Sequence, residues 1–143
     1  MTYSAKFTVA VAYVIEKDGS VLMLRRSPTK DHAPGEWETG SGRVEAGEAP
    51  EDALQREVRE ETGLKIEIVG PVDTFHFYRG ASREETIGIT FWCRYVGGNL
   101  VICEEHDRAE WLGFDKAIAL LGANGAGKAV AKIAADLQGA RRL

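Results

Sequence analysis

The feature that most constrains this chain is the stretch from Gly42 to Leu64, GRVEAGEAPEDALQREVREETGL. Inside it, Glu57, Glu60 and Glu61 place three acids within five positions, between Pro50 and Gly63. Pro50 suits the first position of a helix, where its missing N–H costs nothing, and Glu51 and Asp52 suit the positive end of the helix dipole. Gly63 suits a left-handed C-terminal cap. One helix is therefore predicted from Pro50 to Thr62. At about 100° per residue, Glu57, Glu60 and Glu61 share roughly 100° of arc, beside an apolar stripe of Leu54 and Val58. Carboxylates so close repel one another unless a cation lies among them, and a hard divalent ion such as Mg²⁺ or Mn²⁺ takes oxygen ligands. A solvated acidic face paired with Arg56 and Arg59 reads the same way locally. The helix alone does not choose between the two.

The wider spacing does. Gly42, Glu48, Arg56-Glu57-Val58, Glu60-Glu61 and Gly63-Leu64 occupy nine specified positions over 23 residues. This pattern resembles the signature of the Nudix hydrolase family at every fixed position. The resemblance implies an α/β/α sandwich with a mixed β-sheet, a single domain over residues 1–143 that carries the signature at 42–64. It also implies hydrolysis of a diphosphate linkage in a nucleoside diphosphate joined to another group: a nucleoside triphosphate, a nucleotide sugar or a dinucleoside polyphosphate. By the same resemblance a homodimer is allowed.

Composition agrees with a globular enzyme. A chain of 143 residues fits one domain, and 44% hydrophobic with 28% charged residues is ordinary for a soluble protein. The net charge of −4 argues against a broad nucleic-acid surface but not against a nucleotide-like small molecule, because a bound metal supplies local positive charge. Cys93 and Cys103 lack a short metal-ligand spacing and read as free thiols in a reducing compartment. The N-terminus shows no signal-peptide pattern, and no segment approaches the ~20 apolar residues that span a bilayer. A cytoplasmic protein without a membrane segment is the expectation.

Strand signals surround the helix. Phe7–Ile15 and Val21–Arg25 flank a Lys17-Asp18-Gly19-Ser20 hairpin turn. Ser27–Trp37 reads as a loop leading to Gly40-Ser41-Gly42. Further strands are expected at Leu64–Val69, ended by Gly70-Pro71, and at Val72–Arg79, Thr86–Val96, Leu100–Cys103 and Ala109–Phe114. Asp115 is expected to cap a helix through Leu121, and Gly127–Gln138 has a terminal-helix pattern. Gly122–Lys128 fits the first seven positions of a P-loop, but Ala129 supplies no hydroxyl and no buried strand precedes it, so an interhelical turn is expected.

The resemblance assigns metal coordination to Glu57, Glu60 and Glu61, joined by a backbone carbonyl near Ser41, with Mg²⁺ or Mn²⁺ as cofactor. Arg56 is expected to orient these acids by pairing with them or with Glu48. Many family members carry Pro-Gly-Gly where this chain has Gly40-Ser41-Gly42, which leaves the loop's shape open. The general base is open between Glu61 and Glu105, with Glu105 preferred because Glu104-Glu105-His106-Asp107 resembles the family's late acidic loop. For substrate contacts, Arg25 and Arg26 offer cations at a strand end, His32 could meet a phosphate and Trp37 could stack on a base; packing is the competing reading for Trp37. Phe75 and Phe77 read as core. Two other classes stay in view. A catalytically silent nucleotide-sensing domain would usually have lost signature acids, which this chain keeps. A prenyl diphosphate isomerase would need a suitably placed cysteine, and neither Cys93 nor Cys103 has the expected neighbourhood.

Overall fold

The computed structural model describes residues 5–30, 33–123 and 125–141, with side chains through residue 139. The expectation for His32 lies outside them. The helix from Pro50 to Thr62 forms as the sequence dictates and is designated α1. Pro50 occupies its first turn, and Gly63 closes it at φ 72°, its N–H donating to the Arg59 carbonyl at 2.9 Å. Among the described residues the sheet around it has seven strands: β1 (Thr8–Lys17), β2 (Ser20–Arg26), β3 (Trp37–Glu38), β4 (Ser41–Arg43), β5 (Leu64–Arg79), β6 (Glu84–Gly98) and β7 (His106–Gly113). Two further helices follow, α2 (Phe114–Leu121) and α3 (Ala126–Arg141).

The β1–β2 hairpin turns through Asp18 at φ 50° and Gly19 at φ 81°, the left-handed pair that a tight two-residue turn requires. Beyond the turn, β1 and β2 pair only at Glu16↔Val21 and Lys17↔Ser20 and then separate. β3 attaches to β2 at Leu24 and Arg25, while β4 attaches to β1 at Ala10–Ala12. The segment 37–43 is thus a wedge between two diverging central strands. β1 also pairs in parallel with β6 along nine residues, β7 runs antiparallel to β2, and β5 is the far edge.

Alternation along the strands builds two cores. Val11, Tyr13 and Ile15 of β1, Leu22 and Leu24 of β2, and Phe91 and Cys93 of β6 face α1, which contributes Ala53, Leu54 and Val58. Val14, Val21, Met23 and Trp92 face the opposite way, onto Ala117 of α2 and Ala129, Val130 and Ile133 of α3. Because β2 is covered on both faces, Val21-Leu22-Met23-Leu24 is apolar throughout instead of alternating. The mixed sheet with helices on both sides is the α/β/α arrangement expected.

Four local expectations need correction. Gly70-Pro71 does not end a strand: β5 runs on through irregular pairing near both residues. As an edge strand it tolerates a residue with no N–H to donate. Leu100–Cys103 is not a strand, although Ile102 still packs on the α1 core and the Val101 N–H donates to the Thr62 carbonyl. Asp115 lies in the first turn of α2, and the cap position belongs to Gly113. Trp37, read as the end of the Ser27–Trp37 loop, begins the short strand Trp37–Glu38, and the glycine-rich approach beyond it holds a second, Ser41–Arg43. Gly122–Lys128 joins α2 to α3, as an interhelical turn should.

Candidate active site

α1 lies against β1 and β4, so its acidic face opens beside the wedge. Arg56 organises that face with all three guanidinium nitrogens. Nε and Nη2 donate to the two carboxylate oxygens of Glu48 at 2.7 and 2.8 Å, and Nη2 also donates to the Arg43 carbonyl at 3.0 Å. Nη1 donates to Glu57 at 2.8 Å and to Glu60 at 3.4 Å. A planar fork binding a carboxylate through two parallel bonds fixes direction as well as distance. This clamp, with the Glu45 N–H donating to Glu48 at 2.9 Å, pulls the Glu48 carboxyl down to about pKa 2. Arg56 therefore ties the 43–48 loop to the helix and holds Glu57 toward the cleft.

The two remaining signature acids differ. Glu60 is exposed, whereas Glu61 is buried at 4% exposure. Its carboxyl accepts a hydrogen bond from the Tyr13 hydroxyl at 2.8 Å, itself rooted in the core. Burial, and then the Glu57 carboxyl in hydrogen-bonding contact, push the Glu61 pKa up to about 9. Tyr13 opposes that rise, and its own hydroxyl is held well above the usual range, first by burial and then by Glu61. In this arrangement Glu61 retains its proton at neutral pH, the state that a nearby cation would reverse.

Glycine makes the approach possible. A Cβ on Gly42 would overlap the Glu57 carboxyl, so Glu57 lies directly on the β4 backbone. Gly40, at φ 111°, abuts the Tyr13 ring, and its carbonyl accepts from the Tyr13 N–H at 3.0 Å. Ser41 sits between them on β4 and lines a cleft of about 360 Å³ together with Glu57, Glu61, Glu105 and Arg26. A wider opening of about 660 Å³ adjoins it, bounded by Lys30, Glu60, Cys103 and Glu104 as well as the same acids.

Glu105 reaches this site although 44 positions separate it from Glu61 (105 − 61). It is exposed, Lys30 Nζ lies 3.8 Å from its carboxylate, and the Ser27 N–H donates to its carbonyl at 2.9 Å. Arg25 does not line the cleft: Asp107 holds its guanidinium through two bonds of 2.8 and 2.7 Å. Arg26, next along β2, lines it instead. Trp37 packs against the α2–α3 core, with Arg108 5.4 Å above its ring, which is the packing reading. Phe75 departs from its expected place in the core. It covers Gly88, lines the cleft, and also lines a neighbouring groove of about 420 Å³. Phe77 is 41% exposed.

Sequence reasoning passed over Tyr13, Glu38 and His106. Tyr13 looks like one more apolar strand residue, and only the packing of α1 brings Glu61 to its hydroxyl. His106, its side chain 1% exposed, meets Glu38 at 2.6 Å from Nε2, a pairing between β7 and β3 that no local pattern encodes. Burial would raise the Glu38 pKa, but His106 and Arg26 together hold it below the usual range.

Among the described residues, no three Asp, Glu, His or Cys side chains are already drawn together as a metal cage. Glu57 and Glu60 turn toward Arg56. The donor set nevertheless fits a hard divalent ion: it is all oxygen, it is crowded, and one member, Glu61, is buried, with its pKa pushed up first by that burial and then by Glu57.

Residues 6–133 match the NUDIX domain. Over 112 residues the chain is 32% identical to the nucleoside triphosphatase NudI of Escherichia fergusonii, covering 71% of this chain and 79% of that protein. It is 34% identical over 131 residues to the NAD-capped RNA hydrolase NudC of Stutzerimonas stutzeri, a match that takes in 91% of this chain but 44% of that protein. The solution structure of the E. coli ORF135 protein superposes with a TM-score of 0.73 at 29% identity, covering 95% of this chain and 94% of that one.

Proposed function

This chain belongs to the Nudix family, and from that premise we propose that it is a divalent-metal-dependent pyrophosphohydrolase of nucleoside diphosphate derivatives. Nudix hydrolases act on such derivatives and generally use divalent metal ions. The observation that carries the reading is Glu61: a buried carboxyl beside Glu57, hydrogen-bonded by Tyr13 and lining a cleft next to Gly42 of β4. An uncompensated acid in that position is costly unless a cation or a proton is shared there.

Glu57, Glu60 and Glu61 would hold Mg²⁺ or Mn²⁺, with the Ser41 carbonyl as a further ligand. Such an ion offsets phosphoryl charge and lowers the pKa of a bound water. Arg56 keeps the acids aimed and the 43–48 loop closed. Glu105, beside Lys30, takes the proton of the attacking water, with Glu61 as the competing base. Arg26 reaches the substrate's phosphates from the cleft wall. A nucleoside triphosphate is the first substrate class to test, given the likeness to a nucleoside triphosphatase.

The test is release of phosphate or pyrophosphate from nucleoside triphosphates, nucleotide sugars and dinucleoside polyphosphates with Mg²⁺ or Mn²⁺, repeated with EDTA. Product mass identifies which bridge is cut. Turnover that EDTA abolishes is expected, and Glu61→Gln should lower it by at least about 10²-fold. Turnover of nothing, or turnover indifferent to EDTA, overturns the reading. Nucleotide binding without turnover would instead support the sensing domain.

A further inference from the structure

The cleft above Glu57 and Glu61 and the neighbouring groove share only a few walls, among them Glu38, Ser41 and Phe75. The groove beyond is formed by residues such as Asp73, Thr74, Thr90 and Lys128, on the side of the sheet that carries α3. A ligand with one end over the signature acids and the other in this groove passes the junction that Glu38, Ser41 and Phe75 form.

Glu38 is held unusually firmly for a residue of a two-residue strand. His106 Nε2 lies 2.6 Å from its Oε1, and Arg26 Nη1 lies 3.4 and 3.5 Å from its two oxygens. His106 is enclosed, and its Nδ1 has no hydrogen-bond partner among the described residues. The ring proton therefore belongs on Nε2, where a carboxylate receives it, so His106 donates and Glu38 accepts. β7 and β3 both pair with β2, at Arg26 and Leu24 respectively, and that register sets the two side chains against each other. The Glu38 side chain stays 28% exposed, enough for its free lone pairs to meet a ligand.

An anchored carboxylate at this junction rejects phosphate and accepts only from O–H or N–H. It imposes a polarity: the phosphates toward the signature acids and their ion, away from Glu38, and a neutral, donor-bearing group over Glu38 toward the groove, where Phe75 offers an aromatic ring. We propose that Glu38 is a specificity-determining residue that accepts a hydrogen bond from the nucleoside part of the substrate, and that His106 is the positioning residue that aims it. This rests on the nucleotide reading above, and names the contact that would distinguish a nucleoside from a bare polyphosphate.

Binding separates the two claims from catalysis. Methylene-bridged analogues of ATP, GTP, CTP and UTP are titrated with Mn²⁺ into the wild type, Glu38→Gln, His106→Leu and His106→Gln. Methylenediphosphonate serves as the nucleoside-free control. With His106 still donating to Oε1, Glu38→Gln turns an amide N–H toward the ligand where an acceptor stood. The tightest-binding analogue should then weaken by about 10- to 100-fold, while methylenediphosphonate is unchanged. His106→Leu should do the same, and His106→Gln, whose amide can still donate toward Glu38, should recover to within about threefold of wild type. If His106→Leu fails to fold, the near-isosteric Glu38→Gln decides alone. Equal weakening of analogue and methylenediphosphonate, no weakening of either, or no nucleotide binding by the wild type overturns the proposal. Binding with the expected pattern but no hydrolysis would sink the hydrolase reading and leave this one standing.

Discussion

At the scale of single residues, Gly42 and Glu61 matter more than their size suggests. Gly42 has no Cβ for Glu57 to meet, and its backbone is not in the left-handed region. Gly42→Ala should therefore fold normally and still displace the Glu57 carboxylate. Turnover is expected to fall at least about tenfold with a melting temperature within a few degrees of wild type, read by kinetics and circular dichroism. Glu61 sets a pH signature of the metal-free protein. The folded state keeps its proton up to about pH 9, whereas the unfolded chain releases it near 4.3. Between those values the folded state binds more protons, so stability must fall as pH rises, by up to about 1.4 kcal/mol per pH unit. Denaturant midpoints measured in EDTA from pH 5 to 9 should show that slope, and Glu61→Gln should flatten it.

At the scale of elements, α1 is both a core helix and the platform of the site. Leu54 is fully buried against the sheet, and Leu54→Ala should cost about 2–5 kcal/mol in denaturant unfolding, as for other large-to-small core changes. Arg56 works on the opposite edge of the same helix. Lysine keeps the charge but cannot reach Glu48 with two parallel bonds while also holding Glu57. Arg56→Lys should lower kcat by about 10- to 100-fold with little change in the melting temperature, because the loss is one of aim. A large stability loss with normal turnover would contradict this. The wedge 37–43 is the second element to notice. It inserts because β1 and β2 diverge after two pairs, and it brings Gly40, Ser41 and Gly42 under α1.

At the scale of the whole molecule, the sheet separates two apolar layers and leaves the acidic cleft along one side of α1. A divalent ion that binds only the folded state raises stability in proportion to the logarithm of its concentration. Mn²⁺ should therefore raise the melting temperature, and more so near pH 8 than near pH 5, because at the lower pH protons compete for the carboxylates. A melting temperature indifferent to Mn²⁺ at both values would speak against an ion among these acids. Among the described residues no helix is long and apolar enough to cross a membrane.

The residues themselves determined α1, its proline start and its glycine stop, the β1–β2 turn, and the face shared by Glu57, Glu60 and Glu61. Each of these rests on neighbours within a few positions, where dihedral preference and periodicity act directly. What only the tertiary structure decided are meetings across the sheet: Tyr13 with Glu61, His106 with Glu38, Asp107 taking Arg25, and Phe75 leaving the core to cover Gly88. Those depend on strand register and on how far β1 and β2 part, which are outcomes of packing the two cores together. Side-chain type restricts which partners are acceptable, but only the assembled sheet brings one of them within 3 Å.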